Sequence, residues 1–190
     1  MTHSDHAVTR DRELLAAVGR GTALAFETIY RDHKDGLLTV AYHMLGDMNA
    51  AEDVLQDVFV TLASKASQVR LRGSLRSYLL TSTLNRCRDQ RRRAKANHAV
   101  ASSLELDVHP LDTPAPDARV LELERIETIA GALGKVPDEQ REVVILHVFE
   151  ELTFREIAEL LAIPSNTAQS RYRYAMVGLR DRLTAKDIQR

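Results

Sequence analysis

Two short stretches carry side chains whose types and spacing could do chemistry. Between Ser165 and Arg173 the sequence SNTAQSRYR sets hydroxyl, amide and guanidinium groups close together. Between Asn85 and Lys95 the sequence NRCRDQRRRAK holds six bases in eleven residues. Such groups bind phosphate oxygens and base edges. One or two cations suffice to complement the dipole of a helix end; six are better explained by phosphate or a nucleic-acid strand. A third stretch is the electrostatic opposite: from Asp47 to Asp57 there are four acids and no base. Like charges at i,i+4 repel by a few tenths of a kcal/mol, so an unrelieved acidic ridge fits a basic partner outside the chain.

The elements that must position these groups read as helices. In AEDVLQDVFVTLA, the residues Ala51, Val54, Leu55, Val58, Phe59 and Leu62 recur at three- and four-residue spacing and form one buried stripe. Glu52, Asp53, Gln56 and Asp57 fall on the other side. In the basic helix Leu75, Tyr78, Leu79 and Ser82 face inward, while Asn85, Arg88, Asp89 and Arg92 share an exposed side. From Ala96 to Asp117 the periodicity vanishes and Pro110, Pro114 and Pro116 crowd together, which predicts a flexible linker. Helical patterning resumes at Ala118. Pro137 followed by acids opens one helix, with Val143, Val144, Leu146, His147 and Phe149 turned inward. Thr153 with Glu156 predicts a capping box on the next, whose inner stripe is Phe154, Ile157, Ala158 and Leu161. Ser165 or Asn166 is placed to cap the helix after that.

Charge is segregated along this plan. The net charge is only -1, yet Ser64 to His98 holds ten Lys/Arg against one Asp, and Ala99 to Ile129 holds two Arg against seven acids. Two partners of opposite charge are implied. With 190 residues, 44% hydrophobic and 28% charged, the chain suits one or two small globular domains. Aromatics at 5% and no Trp favour helices over sheets. No apolar run reaches the roughly 20 residues of a spanning helix, and the charged N-terminus, with His3 and His6 in an expected disordered tail, does not read as a secretory signal. The single Cys87 rules out an intramolecular disulfide, fits a reducing compartment and reads as a small spacer. Enzyme chemistry finds no footing. Gly19–Gly21 lacks the preceding strand of a phosphate loop, and no HExxH or paired-Cys metal site occurs.

The C-terminal pair of helices has the parts of a helix-turn-helix. Ala158 is the small crossing residue, Ile163 an apolar pin after the turn, and Ser165, Asn166, Thr167, Gln169, Ser170, Arg171 and Arg173 supply donors. Asn166, Gln169, Ser170 and Arg173 share one face. Arg171 and Arg173 point about 200° apart, so Arg171 is expected to reach a flanking phosphate or pack back on the domain.

On these residues the sequence resembles the extracytoplasmic-function, group 4, sigma factors of the sigma-70 family of bacterial RNA polymerase, over roughly Ala25 to Leu183. AEDVLQDVF is similar to the polymerase-docking motif of region two. NRCRDQRRR matches that family's Asn, Asp and Arg-Arg spacing through Asn85, Asp89, Arg92 and Arg93. VPDEQREVVILHVFEELTFREIAELLAIPSNTAQSR looks like region four. Departures are Tyr78-Leu79 where the family often has Trp-Leu, Ala162 for the usual turn glycine, and Ala168 for a branched apolar residue; an Ala at positive φ costs roughly 1 kcal/mol against Gly, which predicts a somewhat different turn.

The resemblance implies an all-α protein of two small helical domains joined by a flexible linker. Region two would span residues 11–95, the linker 96–117 and region four, with the helix-turn-helix, 118–185. It implies that Asp53, Gln56 and Asp57 dock on core RNA polymerase, and that Asn85, Arg88, Asp89, Arg92 and Arg93 recognise and open the minus-ten element of promoter DNA. The loop from Ser67 to Ser74 would hold an unstacked base, and the recognition helix would read the minus-thirty-five element. The expected protein is cytoplasmic, not inserted in a membrane, free of metal and cofactor, and not an enzyme. An anti-sigma factor is a further candidate partner. The alternative is a stand-alone helix-turn-helix regulator, which would need a sensor or dimerisation domain in place of the acidic face and second basic helix.

Overall fold

The structure, a computed structural model, describes the backbone of residues 3–71, 73–101 and 128–187, and the side chains of residues 8–71, 73–96 and 128–180. All regular elements among them are helices: α1 (His3–Gly19), α2 (Ala23–Leu45), α3 (Met48–Lys65) and α4 (Leu75–Ala101), then a helical segment at 128–134, α5 (Asp138–Val148), α6 (Phe154–Leu161) and α7 (Ser165–Asp187). Helix α1 begins at His3, so the backbone around His3 and His6 is helical where a disordered tail was expected. Helix α4 continues to Ala101, into the stretch expected to be linker. The remainder of that linker, with its three prolines, lies outside the described residues.

The N-terminal unit is built on the α3 stripe. Ala51, Val54, Leu55, Val58, Phe59 and Leu62 are all buried, each large side chain contributing roughly 1.5–3 kcal/mol. They meet Leu15 and Val18 of α1, Ile29, Leu37, Val40 and Met44 of α2, and Leu75, Leu79, Leu80 and Leu84 of α4. Termini are tied down locally. Helix α2 ends on Gly46 at φ 76, whose N–H reaches the Tyr42 carbonyl. Asp47 then caps α3 by accepting from the Ala50 N–H at 2.7 Å. Asp11 of α1 accepts from the Leu75 N–H at 2.7 Å and so satisfies an orphan donor at the start of α4.

The C-terminal unit hangs on a fully buried arginine. Arg141 donates to the carbonyls of Leu133 (2.6 Å), Gly134 (2.7 Å) and Val136 (2.7 Å), clamping the turn before α5. Burial lowers its pKa to about 10, still charged at neutral pH. Around it lie Val143, Val144, Ile145 and Leu146 of α5, Ile157 of α6, and Ala168, Ala175 and Leu179 of α7.

The two units pack on each other through one continuous apolar core. Arg141 also donates to the Met44 carbonyl at the end of α2, where Arg91 of α4 makes a second bond at 3.0 Å. His43 of α2 stacks on Phe149 after α5, with ring centroids 4.0 Å apart.

Candidate nucleic-acid interface

The helix-turn-helix forms as its sequence demands. The Thr153 hydroxyl accepts from the Glu156 N–H at 3.3 Å, and the Glu156 carboxylate accepts from the Thr153 N–H at 2.8 Å, completing the capping box. The Thr153 hydroxyl also donates to the Glu156 carboxylate at 2.6 Å, and this bond, with that of the Thr153 N–H, holds the Glu156 carboxyl below its ordinary range. Ala162 adopts φ 55, ψ 45, the left-handed conformation a turn glycine would take, and its N–H bonds the Ala158 carbonyl. The turn therefore keeps its shape, with the strain carried by Ala162. Ala158 and Ala168 are buried where α6 and α7 meet, and Ile163 packs against the core. Neither Ser165 nor Asn166 takes the cap position of α7. The carbonyl of Pro164 accepts from Thr167 and Ala168, which makes Ser165 the first helical residue; Asn166 Oδ1 accepts from the adjacent Thr167 N–H at 3.1 Å.

On α7, Ser165, Asn166, Gln169 and Arg173 are exposed, and Thr167 and Ser170 are half-buried. Arg171 is turned back against its own unit and pairs with Glu139 of α5. Behind this face His147 stacks on Phe154, centroids 4.4 Å apart, with Tyr172 edge-on at 4.9 Å. His147 Nδ1 lies 2.8 Å from the Leu152 carbonyl, bracing α5 against α6.

On α4, Asn85, Arg88, Asp89, Arg92 and Arg93 are exposed along one side. Arg88 bonds Asn85 Oδ1 at 2.9 Å, and Arg92 pairs with Asp89 at 2.9 Å. Cys87, between them, is buried with its thiol pKa pushed up to about 12 by desolvation, which leaves it a packing residue. The loop joining α3 to α4 borders two cavities of about 520 Å³ each. One lies against α1 and is lined in part by Arg12, Arg20, Ser67 and Arg70. The other lies between Ser74, Ser77, Tyr78 and Thr81 and the α6 acids Glu156 and Glu159.

The acidic ridge of α3 is less bare than its sequence implies. Asp47 is a cap, and Asp57 pairs with Arg86 of α4 at 2.8 Å. Glu52, Asp53 and Gln56 remain exposed. Beside them a groove between α2 and α3 presents Tyr30, Leu38, Phe59 and Val60.

Sequence reasoning missed the acids that face α4 from the other unit. Glu142 of α5, its side chain 4% exposed, grips Arg88 through two bonds of 2.5 and 2.6 Å. Asp138 pairs with Arg91 at 2.9 Å and with Lys95 at 3.0 Å. Glu150, after α5, accepts from Arg76 through both its carboxylate (2.8 Å) and its carbonyl (2.7 Å). One signal was available. Asp138 has Arg141 three residues on, but Glu142 has acids at i−3 and i−4 and no base three or four residues away, the kind of unrelieved charge that singled out α3.

Comparison with known proteins agrees with this geometry. The model of sigma-70 region 2 matches residues 29–97, and that of sigma-70 region 4 matches residues 126–177. The chain is 28% identical over 179 residues to the ECF RNA polymerase sigma factor SigW of Bacillus subtilis, covering 90% of this chain and 96% of that protein. It is 32% identical over 161 residues to the ECF RNA polymerase sigma factor SigM of Mycobacterium tuberculosis, covering 85% and 78%. Among solved structures, CnrH in complex with the cytosolic domain of CnrY superposes with a TM-score of 0.68 at 25% identity, covering 92% of this chain and 97% of that one. The sigma factor RpoE of Bartonella quintana, in complex with the anti-sigma factor NepR, shares the fold at a TM-score of 0.65 and 20% identity, covering 84% and 96%. With both sigma-70 regions in order on an all-helical frame, the chain belongs to the ECF sigma factors of the sigma-70 family, proteins of promoter recognition and transcription initiation.

Proposed function

We propose that three polar faces divide the work of a dissociable promoter-specificity subunit. Asp53, Gln56 and Asp57 of α3 dock on basic helices of core RNA polymerase. Asn85, Arg88, Asp89, Arg92 and Arg93 of α4 recognise and help open the minus-ten element, and the loop around Ser67 to Ser74 holds an unstacked base. The set Ser165, Asn166, Thr167, Gln169, Ser170, Arg171 and Arg173 serves the minus-thirty-five element. Asn166, Gln169, Ser170 and Arg173 line the major groove, and Gln169 reads adenine through N6 and N7. In domain terms residues 11–95 are the polymerase and minus-ten unit, 96–117 the connection, and 118–185 the minus-thirty-five unit.

No bond is made or broken by these residues; catalysis belongs to the polymerase, in the cytoplasm. An anti-sigma protein is a further partner, because RpoE of Bartonella quintana was solved with the anti-sigma factor NepR bound, and CnrH with the cytosolic domain of CnrY. The observation that best supports the reading is the split on α7, where Asn166, Gln169 and Arg173 stand exposed while Arg171 is drawn back to Glu139. The test is run-off transcription from genomic fragments with core polymerase, with and without the chain. Discrete transcripts that need the chain support the reading. Promoter binding by the chain alone, with no gain on adding core polymerase, would favour a stand-alone regulator.

A further inference from the structure

Three arginines border the cavity of about 520 Å³ between the end of α1 and the loop that follows α3. Arg12 and Arg20 come from α1 and its exit, Arg70 from the loop, and Leu15, Val69 and Leu71 supply an apolar wall. All three arginines are exposed. Their side chains make no hydrogen bond or ion pair with a described residue, whereas Arg76, Arg86, Arg88 and Arg91 of α4 each meet a carboxylate. Among the described residues no acid borders the cavity, and none of the C-terminal unit covers it. Three like charges around one hollow hold a positive potential that collects anions.

The helix ends nearby do not account for these charges. Helix α1 has no base in its last turn, and Arg12 sits about two turns before that end, outside the reach of its dipole. The carbonyls of Ala16, Ala17 and Val18 are taken by the N–H groups of Arg20, Thr22 and Gly21, and that of Lys65 by Gln68 and Val69. Backbone, not arginine, finishes both helices. Helix α1 also fixes the loop. A Cβ at Gly19 would stand 3.0 Å from the Ser67 nitrogen, so any side chain there would press on the loop. At the loop's far end Asp11 holds the Leu75 N–H.

We propose that this cavity is a phosphate site that grips the backbone of single-stranded DNA beside the unstacked base. This rests on the assignment of the loop from Ser67 to Ser74 to that base. Guanidinium forks bind phosphate oxygens at two points, and a hollow of this size takes a group of nucleotide dimensions. Arg12 and Arg20 precede residue 29, where the match to sigma-70 region 2 begins. The grip therefore belongs to this chain's own first helix.

The test uses the full chain and a fluorescein-labelled mixed-sequence single-stranded oligonucleotide, followed by anisotropy across a salt series. Arg12→Gln and Arg20→Gln should each weaken binding about tenfold and flatten the slope of log affinity against log salt by about 0.7. Arg10, paired with Asp32, lies on the same helix outside the cavity, and Arg10→Gln should change little. Unaltered melting temperatures check that these exposed substitutions leave the fold intact. Unchanged binding in Arg12→Gln and Arg20→Gln would overturn the site, and so would an equal loss in Arg10→Gln, which would reduce it to the general charge of α1. Calorimetry with inorganic pyrophosphate separates the sources of phosphate. Pyrophosphate bound by the wild type and lost in the double variant, with oligonucleotide affinity the same in both, would overturn the strand in favour of a small ligand. The loop reading fails separately: 2-aminopurine stepped through the oligonucleotide, with no rise in fluorescence on binding, would remove the unstacked base whatever the arginine variants show.

Discussion

Two basic surfaces meet different fates in the same molecule. On α4 the cations Arg76, Arg88, Arg91 and Lys95 are paired with acids of the C-terminal unit. On α7 Arg171 is tied back to Glu139, while Arg173, Gln169 and Asn166 face solvent. The difference teaches that packing of the two units takes up a line of cations on one side of α4, of which only Arg88 belongs to the proposed minus-ten set, and leaves the polar side of α7 open.

The largest expected effect comes from the arginine that anchors both units. Arg141→Met would leave the carbonyls of Leu133, Gly134 and Val136 without their partner. Buried acceptors stripped in this way cost about 1–3 kcal/mol each. The C-terminal unit should lose several kcal/mol in thermal or urea unfolding, and the N-terminal unit far less. Equal loss in the two units would mean that they unfold as one.

Next is the reader on the open face. Gln169→Ala should cost about 1–3 kcal/mol on the preferred minus-thirty-five sequence and relax selectivity at one position. Promoter selection by holoenzyme carrying the variant measures it. Arg171→Ala should instead change affinity for all sequences alike, and loss of its surface pair with Glu139 should cost about 0–1 kcal/mol of stability. Selectivity lost through Arg171 and kept through Gln169 would mean that α7 sits in the groove rotated from the orientation proposed.

The helix that supports α7 gives a similar stability effect. Thr153→Ala removes the capping box and should cost about 1 kcal/mol, read as a lower melting temperature of the C-terminal unit. An unchanged melt would show that packing, not the cap, holds α6.

The smallest effect is on pH. Burial against Phe149 lowers the pKa of His43, so its neutral form fits the seam and the protonated form does not. A folded-state histidine pKa below the unfolded one gives stability that is present above about pH 6.5 and declines as the pH falls below it. Asp138 works in the same sense. Burial raises its pKa, but the hydrogen bond from Lys95 and the charges of Arg91 and Arg141 outweigh that and lower it, so its contribution also fades in acid. The radius of gyration should therefore grow on acidification from neutral pH, and His43→Phe should blunt the part of that growth near pH 6. A radius that shrinks in acid would contradict both.

Much of this was legible in the sequence because it is local. The α3 stripe, the Thr153–Glu156 box and the basic run of α4 repeat at helical spacing, and each forms where the spacing puts it. The illegible parts depend on distant residues. The pattern assigns no inward role to Arg141 or Glu142, yet both are buried, with partners as far off as Met44, 97 residues from Arg141, and Arg88, 54 residues from Glu142. Asp57 read as an open docking group but pairs with Arg86, which is 29 positions on. Helix α4 overran its expected end because Ala96 to Ala101 has no breaker, and its sequence offers no apolar periodicity by which to extend the helix. The residue roles on α3, α4 and α7 were legible only through resemblance, and they stand as proposals.

Unequal exposure of the arginines along α4 can be measured directly. Phenylglyoxal labelling of the free chain, mapped residue by residue by mass spectrometry, compares neighbours on one helix. The side chains of Arg88 and Arg91 are 42% and 19% exposed and held by acids of the other unit, whereas that of Arg92 is 79% exposed. Packing of the two units predicts slow modification of Arg88 and Arg91 and fast modification of Arg92 and Arg173, with Arg88 accelerating in Glu142→Gln. Arg88 reacting as fast as Arg92 in the wild-type chain would contradict it.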